Sequence, residues 1–100
     1  ELKQMKRSAY IINVSRGGII VEEDLVKALE NGWIAGAACD VLSKEPPTGD
    51  HPLFKFDNFI CTPHMAWYSE QASSDLKTKL AEEMVRYLKG DPLRNQINKL

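Results

Sequence analysis

The sequence has 100 residues, which suits at most one small domain. A formal net charge of -1 and scattered basic side chains exclude an electrostatic surface for nucleic acid or an anionic membrane. No apolar run approaches the ~20 residues that cross a bilayer, and we expect no signal peptide. Cys39 and Cys61 lie in apolar stretches, where reduced, buried thiols are expected. We therefore expect a cytoplasmic protein.

Three short apolar segments predict buried strands, at residues 9–14, 35–42 and 59–62. A helical pattern at residues 21–30 lies between the first two, and the pair Asn31-Gly32 ends it. The second and third strands are separated by residues 43–58, which hold three prolines and predict a loop. This order is typical of a parallel sheet with crossover connections.

Residues 69–89 predict one long helix, with Ser69 as its N-cap and Gly90 at its end. Its apolar residues recur every four positions, at Ala72, Leu76, Leu80, Met84 and Leu88. We predict an α/β fold: the carboxyl-terminal part of a Rossmann-like doubly wound parallel sheet, ending in a long helix that docks on a second domain. Residues 1–7 look like the tail of a helix already under way, so we expect a piece of a longer protein.

Three polar side chains follow the three predicted strands: Arg16, Glu45 and His64. Because parallel strands bring their carboxyl ends to one edge of the sheet, these residues are expected to converge. The planar guanidinium of Arg16 suits a carboxylate. His64 would move a proton, and Glu45 would orient its imidazole. The set is suited to a small hydroxy or keto acid.

Each of these residues also has a simpler explanation when it is taken alone. Arg16 suits a surface turn, Glu45 stands before a proline, and His64 follows Pro63 and could cap the next segment. Cys39, His51, Cys61 and His64 together could be read as a metal site, but their spacing matches no zinc pattern, and we predict no metal. The succession of Arg16, Glu45 and His64 at three strand ends favours the functional interpretation.

Several motifs together resemble a known family. They are N-V-S-R-G-G at residues 13–18, A-G-A-A-C-D-V at residues 35–41, the pair Glu45-Pro46, and T-P-H at residues 62–64. In this order they closely resemble the carboxyl-terminal half of the D-isomer-specific 2-hydroxyacid dehydrogenases. That family includes phosphoglycerate, glycerate, D-lactate and formate dehydrogenases and the C-terminal-binding-protein corepressors. The resemblance covers essentially the whole chain.

The resemblance implies a role for each matching residue. Arg16 would bind the substrate, Glu45 would pair with the catalytic histidine, and His64 would be that acid/base. The implied cofactor residues are Val14, Ser15, Arg16, Asp40, His64, Met65 and Ala66, with Asp40 receiving the nicotinamide carboxamide. The stretch W-Y-S-E-Q-A-S at residues 67–73 is similar to the corepressor branch. It implies that Trp67 borders the substrate, with packing under the helix start as an equal alternative.

The resemblance therefore implies hydride transfer between NAD, or NADP, and a small D-2-hydroxy acid or 2-keto acid. It implies that residues 1–68 form the second half of a cofactor domain. Residues 69–100 would form a helix and tail returning to the substrate domain, and the full-length protein would be a homodimer. Direct contact with nucleic acid or membrane is not expected. Two alternatives stay open: a corepressor-like protein that senses NAD(H), and a complete interaction domain without catalysis.

Overall fold

The computed structural model describes residues 1–98. Three strands, β1 (Tyr10–Asn13), β2 (Gly36–Cys39) and β3 (Phe59–Cys61), form a parallel sheet in the order β1-β2-β3. Helix α1 (Glu22–Glu30) connects β1 to β2, and α2 (Glu70–Lys89) follows β3. The chain forms two compact units, Glu1–Ala66 and a second that begins at Trp67. The predicted α/β, Rossmann-like class is confirmed.

The strand register aligns the carboxyl ends of all three strands. Asn13 pairs with Cys39, and Cys39 pairs with Cys61, so each strand ends beside its neighbour. The backbone continues this alignment, because the Asp40 amide donates to the Asn13 carbonyl at 2.9 Å and the Thr62 amide to the Cys39 carbonyl at 3.1 Å. The segments that follow the strands therefore begin at one edge of the sheet.

The core lies on the face of the sheet that α1 covers. Its buried side chains are Leu25, Ala28, Leu29, Ile34, Ala37, Cys39, Leu42 and Leu53. The acidic first turn of α1 suits the positive end of the helix dipole, and Gly32, at φ +60°, allows the chain to leave the helix. On the other face, Ile12 and Ile60 flank Ala38 and are 68% and 65% exposed. Within residues 1–66, α1 thus covers one face of the sheet.

Two segments differ from the sequence-based expectation. Residues 1–7 form only a short 3-10 helix, Leu2–Gln4, which ends where Met5 takes an extended conformation. The loop at residues 43–58 contains another, Pro52–Lys55. Its proline occupies the first turn, where a fixed φ favours helix formation, and the His51 side chain accepts a hydrogen bond from the Leu53 amide. Leu53 is fully buried and ties this loop to the core.

Helix α2 begins and ends at the predicted residues. The Ser69 hydroxyl accepts a hydrogen bond from the Ala72 amide at 3.0 Å, and Gly90 has the left-handed φ of +73° that commonly ends a helix. The apolar stripe at Leu76, Leu80, Met84 and Leu88 is exposed. Within residues 1–98, neither this helix nor any other has the length and apolar character needed to cross a membrane.

Candidate active site

Glu45 and His64 form the centre of the candidate site. The Oε2 atom of Glu45 lies 2.7 Å from Nδ1 of His64, and both side chains are partly exposed, at 36% and 42%. The other carboxylate oxygen, Oε1, accepts a hydrogen bond from the Leu42 amide at 2.9 Å. With both oxygens engaged, the carboxylate is fixed in orientation. It can in turn fix the plane of the imidazole ring.

Asp40 holds the turn that carries His64. Its Oδ1 accepts from the Thr62 hydroxyl at 2.6 Å and from the Met65 amide at 2.9 Å, and its Oδ2 accepts from the Ala66 amide at 2.8 Å. The His64 amide donates to the Asp40 carbonyl at 2.9 Å. His64 has φ +52°, a left-handed conformation that is costly for a residue with a side chain. The hydrogen bonds to Asp40 stabilise this conformation.

Arg16 lies at the same edge of the sheet, in a turn that Asn13 shapes. The buried Asn13 side chain accepts from the Ser15 amide at 3.1 Å and donates to the Arg16 carbonyl at 2.9 Å. The Arg16 guanidinium is exposed and donates to the Ser15 carbonyl at 2.7 Å. The backbone of Arg16 is therefore fixed, while its head group folds back onto the preceding residue.

Gly17 connects the arginine turn to the glutamate side of the site. A Cβ atom at this position would overlap the carbonyl group of Leu42 and lie 2.6 Å from the Ser43 nitrogen. Only a glycine allows so close an approach of two backbone segments. Leu42 is also the residue whose amide binds Glu45. The residue next to Arg16 thus contacts the backbone that binds Glu45, while the convergence of the Arg16 head group with Glu45 and His64 remains a prediction.

A cavity of about 370 Å³ borders the Glu45–His64 pair. Its remaining wall is largely apolar and includes Leu42, Pro46, Phe54 and Pro63. Apolar cavities of this size with a few polar groups at one wall are typical of small-molecule sites. The pair therefore has access to a space in which a small organic molecule fits.

The predicted cofactor residues lie along the same edge. Val14 and Ser15 follow β1 and are exposed, as is Met65. Asp40 accepts three hydrogen bonds, and a carboxylate has about four acceptor positions. Asp40 is buried, at 5% exposed, and its contact with a nicotinamide carboxamide remains a prediction. Trp67 belongs to the second unit, where its ring packs edge-on against Tyr68 at 5.5 Å, so its substrate contact remains a prediction.

The two cysteines differ in burial. Cys39 is buried as predicted, and burial raises the pKa of its thiol to about 11. Cys61 is only partly buried, because β3 is an edge strand, and burial also raises the pKa of its thiol. Across residues 1–98, His, Cys, Asp and Glu side chains form no group of three suited to a metal ion.

Sequence reasoning missed three side chains that shape the site. Asn13 has a recognisable local signal, since an asparagine at the end of a strand commonly bonds to the backbone two residues on. Thr62 and Glu22 have none, because each binds a group more than 20 residues away, Asp40 and the Ser43 amide respectively.

We expect the protein to lose stability in acid, because the pKa values of two carboxylates of the site are lowered. The hydroxyl of Thr62 lowers the pKa of Asp40 below its ordinary 3.8, and the His64 hydrogen bond lowers that of Glu45 below 4.5. A carboxyl with a lowered folded-state pKa stabilises the fold above its unfolded pKa and loses this effect as pH falls through the lowered value. We expect the free energy of unfolding of the full-length protein to decline below about pH 4.5.

Thr62→Val tests this assignment, because it removes the hydroxyl donor and returns the pKa of Asp40 toward its ordinary value. The acid decline should become shallower in Thr62→Val and stay as in wild type in Thr62→Ser. Chemical denaturation at a series of pH values measures both curves. Superimposable curves for wild type and Thr62→Val would contradict the assignment.

Comparison with known proteins identifies the family. Residues 1–66 match the model of the family described as D-isomer specific 2-hydroxyacid dehydrogenase, NAD binding domain. Over 98 residues the chain is 44% identical to a glyoxylate reductase of Thermofilum pendens. The alignment covers 98% of this chain and 29% of that protein. It is 41% identical to a D-3-phosphoglycerate dehydrogenase of Archaeoglobus fulgidus, again over 98% of this chain but 19% of that protein.

A solved structure agrees with this result. The D-isomer specific 2-hydroxyacid dehydrogenase of Xanthobacter autotrophicus Py2, in complex with NADPH, superposes with a TM-score of 0.82 at 35% identity. The superposition covers 97% of this chain and 39% of that one. The chain thus spans less than a third of the two curated relatives. It belongs to the D-isomer specific 2-hydroxyacid dehydrogenase family.

Proposed function

We propose that the full-length protein is an NAD- or NADP-dependent dehydrogenase that interconverts a small D-2-hydroxy acid and its 2-keto acid. The observation that carries the proposal is the 2.7 Å contact between His64 and Glu45 at the carboxyl edge of a parallel sheet. The family and the named activities of the relatives support the same reaction class.

His64 is the proposed acid/base. During reduction its Nε2 proton passes to the 2-oxygen of the keto acid as negative charge develops there. Nδ1 faces the Glu45 carboxylate, which holds the ring in one orientation. In the oxidative direction the neutral imidazole receives the same proton. Glu45 acts on the substrate only through the ring.

Arg16 is the proposed anchor for the substrate carboxylate. A guanidinium can form two parallel hydrogen bonds with a carboxylate, which fixes both position and orientation. Its exposed head group lies over Ser15 in this structure and has to turn toward the substrate for that purpose. The exposed Trp67 is a further proposed neighbour of the substrate side chain.

The cofactor would be held by residues at the same edge: Val14 and Ser15 after β1, Asp40 after β2, and Met65 and Ala66 after His64. When bound, the nicotinamide supplies or receives the hydride. Asp40 is the proposed acceptor for the carboxamide, since a carboxylate accepts from an amide N–H group. Because Asp40 also binds the Met65 and Ala66 amides, it couples the cofactor side of the site to the histidine turn.

The direct test is reduction of 2-keto acids by the full-length protein with NADH or NADPH, followed by absorbance of the reduced cofactor. Glyoxylate is a suitable first substrate because one relative is a glyoxylate reductase. We expect turnover with at least one small 2-keto acid. Binding of the cofactor without turnover of any of them would instead favour a corepressor-like sensor.

Arg16→Ala should lower kcat/KM for the keto acid by about 10²-fold, because a hydrogen bond to a charged group contributes roughly 1.5–3 kcal/mol. Both KM and kcat should change, since the anchor acts in the bound and the transition state. Arg7→Ala removes the same charge from another exposed position and serves as the control. Equal kcat/KM values for the two variants would refute the role of Arg16.

The remaining expectations complete the proposal. We place residues 1–68 in the cofactor domain and residues 69–100 in a segment that returns to the substrate domain. The protein is proposed to act as a cytoplasmic homodimer. Size-exclusion chromatography with light scattering on the full-length protein measures the oligomeric state; a monomer would contradict that part.

A further inference from the structure

Two carboxylates accept hydrogen bonds from the consecutive backbone amides of Leu42 and Ser43, where the loop that carries Glu45 begins. Glu45 itself accepts from the Leu42 amide at 2.9 Å. The Ser43 amide donates to Oε1 of Glu22 at 2.6 Å, and Glu22 lies on the first turn of α1, 21 residues away in sequence. The start of the loop is therefore bound to a helix that lies outside the candidate active site.

His51 extends this interaction to the far side of Glu45. Its Nε2 lies 3.2 Å from Oε2 of Glu22, and its Nδ1 accepts a hydrogen bond from the Leu53 amide at 3.3 Å. A nitrogen that accepts carries no proton, so the proton of the neutral ring resides on Nε2 and is donated to Glu22. Both oxygens of Glu22 are thus engaged, one by each side of the loop.

The Glu22–His51 pair is more enclosed than the pair at the active site. The side chains of His51 and Glu22 are 14% and 20% exposed, whereas those of His64 and Glu45 are 42% and 36% exposed. Burial raises the pKa of Glu22, but hydrogen bonds from Ser43 and His51 outweigh it, so the pKa lies below its ordinary value. Glu22 is an ionised acceptor in the neutral pH range.

We propose that Glu22 and His51 are positioning residues for the reaction: they hold the loop on both sides of Glu45 and so keep its carboxylate against His64. This inference rests on the proposed function. Ser43 is two residues before Glu45, and His51 is six residues after it. Without this clamp, the loop is expected to sample positions in which Glu45 leaves the imidazole, and His64 would lose its orientation.

Glu22→Gln in the full-length protein is the informative variant. The amide oxygen of glutamine can still accept from Ser43, but its NH₂ group then faces the protonated Nε2 of His51, and two donors oppose each other. If the ring changes tautomer to relieve this, the Leu53 amide loses its acceptor. The matched control is Glu23→Gln, which removes the same charge from the same helical turn at an exposed position.

We expect Glu22→Gln to lower kcat by about 10-fold with KM for the keto acid nearly unchanged, because misplacement of a catalytic group by ~1 Å can cost up to ~10²-fold. Glu23→Gln should have the kcat of wild type. The ¹⁵N chemical shifts of the His51 imidazole should change in Glu22→Gln only, and the Ser43 and Leu53 amides should exchange faster with solvent.

His51→Gln provides a second test if Glu22→Gln does not fold. It should also lower kcat. Where both single variants fold, the kcat of the double variant should be no lower than that of the less active single variant, because both act on one loop. If the wild type is active and Glu22→Gln and Glu23→Gln have equal kcat values, the inference is wrong and the proposed function still stands. This holds even if the Ser43 amide exchanges faster. A wild type that reduces no 2-keto acid would overturn the proposed function and the inference with it.

Discussion

His64→Ala is expected to lower kcat for 2-keto acid reduction by about 10²–10⁴-fold, the usual contribution of a positioned general acid. KM for the keto acid should change little, because the proton is transferred in the transition state and Arg16 still binds the carboxylate. Steady-state kinetics of the full-length protein, at saturating NADH or NADPH, measures both constants.

Glu45→Gln is the companion variant for this prediction. It keeps the size of the side chain and an oxygen for the Leu42 amide, but it removes the charge beside Nδ1 of His64. Its kcat should fall less than that of His64→Ala, since the proton donor is retained. A His64→Ala enzyme with kcat close to that of wild type would rule out His64 as the acid.

Gly17→Ala is expected to destabilise the fold by about 3 kcal/mol, at the upper end of the range for overpacking. The added methyl group would overlap the Leu42 carbonyl, and backbone atoms cannot turn aside as a flexible side chain can. The arginine turn would be pushed away from the loop that starts at Ser43, so activity should fall as well. Chemical denaturation gives the change in the free energy of unfolding.

Gly49→Ala is the matched control for Gly17→Ala. A Cβ at Gly49 meets no heavy atom within 4 Å, and surface changes of this kind usually stay within about 0.5 kcal/mol. If Gly17→Ala and Gly49→Ala cost the same, the close approach of the two backbone segments is not a requirement of the fold.

Much of the fold could be predicted because its signals are local. The apolar segments around Ile11, Ala37 and Ile60 predicted the three strands, and the pattern of α1 and the caps at Ser69 and Gly90 predicted the helices. The parallel order followed from the connections. The shared edge of Arg16, Glu45 and His64 followed from that order in turn.

The connections that hold the site together were beyond sequence reasoning. The 3-10 helix at Pro52–Lys55 depends on the burial of Leu53, which is a tertiary effect. Glu22 lies on a helix whose acidic first turn is explained by the helix dipole, so nothing in the local pattern distinguishes it from Glu23. Its contact with His51 spans 29 residues and appears only when the loop is folded.

The central claim is that Arg16, Glu45 and His64 act on one substrate at one edge of the sheet. A crystal structure of the full-length protein with the nicotinamide cofactor and an unreactive 2-keto acid analogue tests it most directly. We predict that the carboxylate of the analogue binds the Arg16 guanidinium and that its 2-oxygen lies within hydrogen-bond distance of His64 Nε2. An analogue bound without contact to either side chain would contradict the claim.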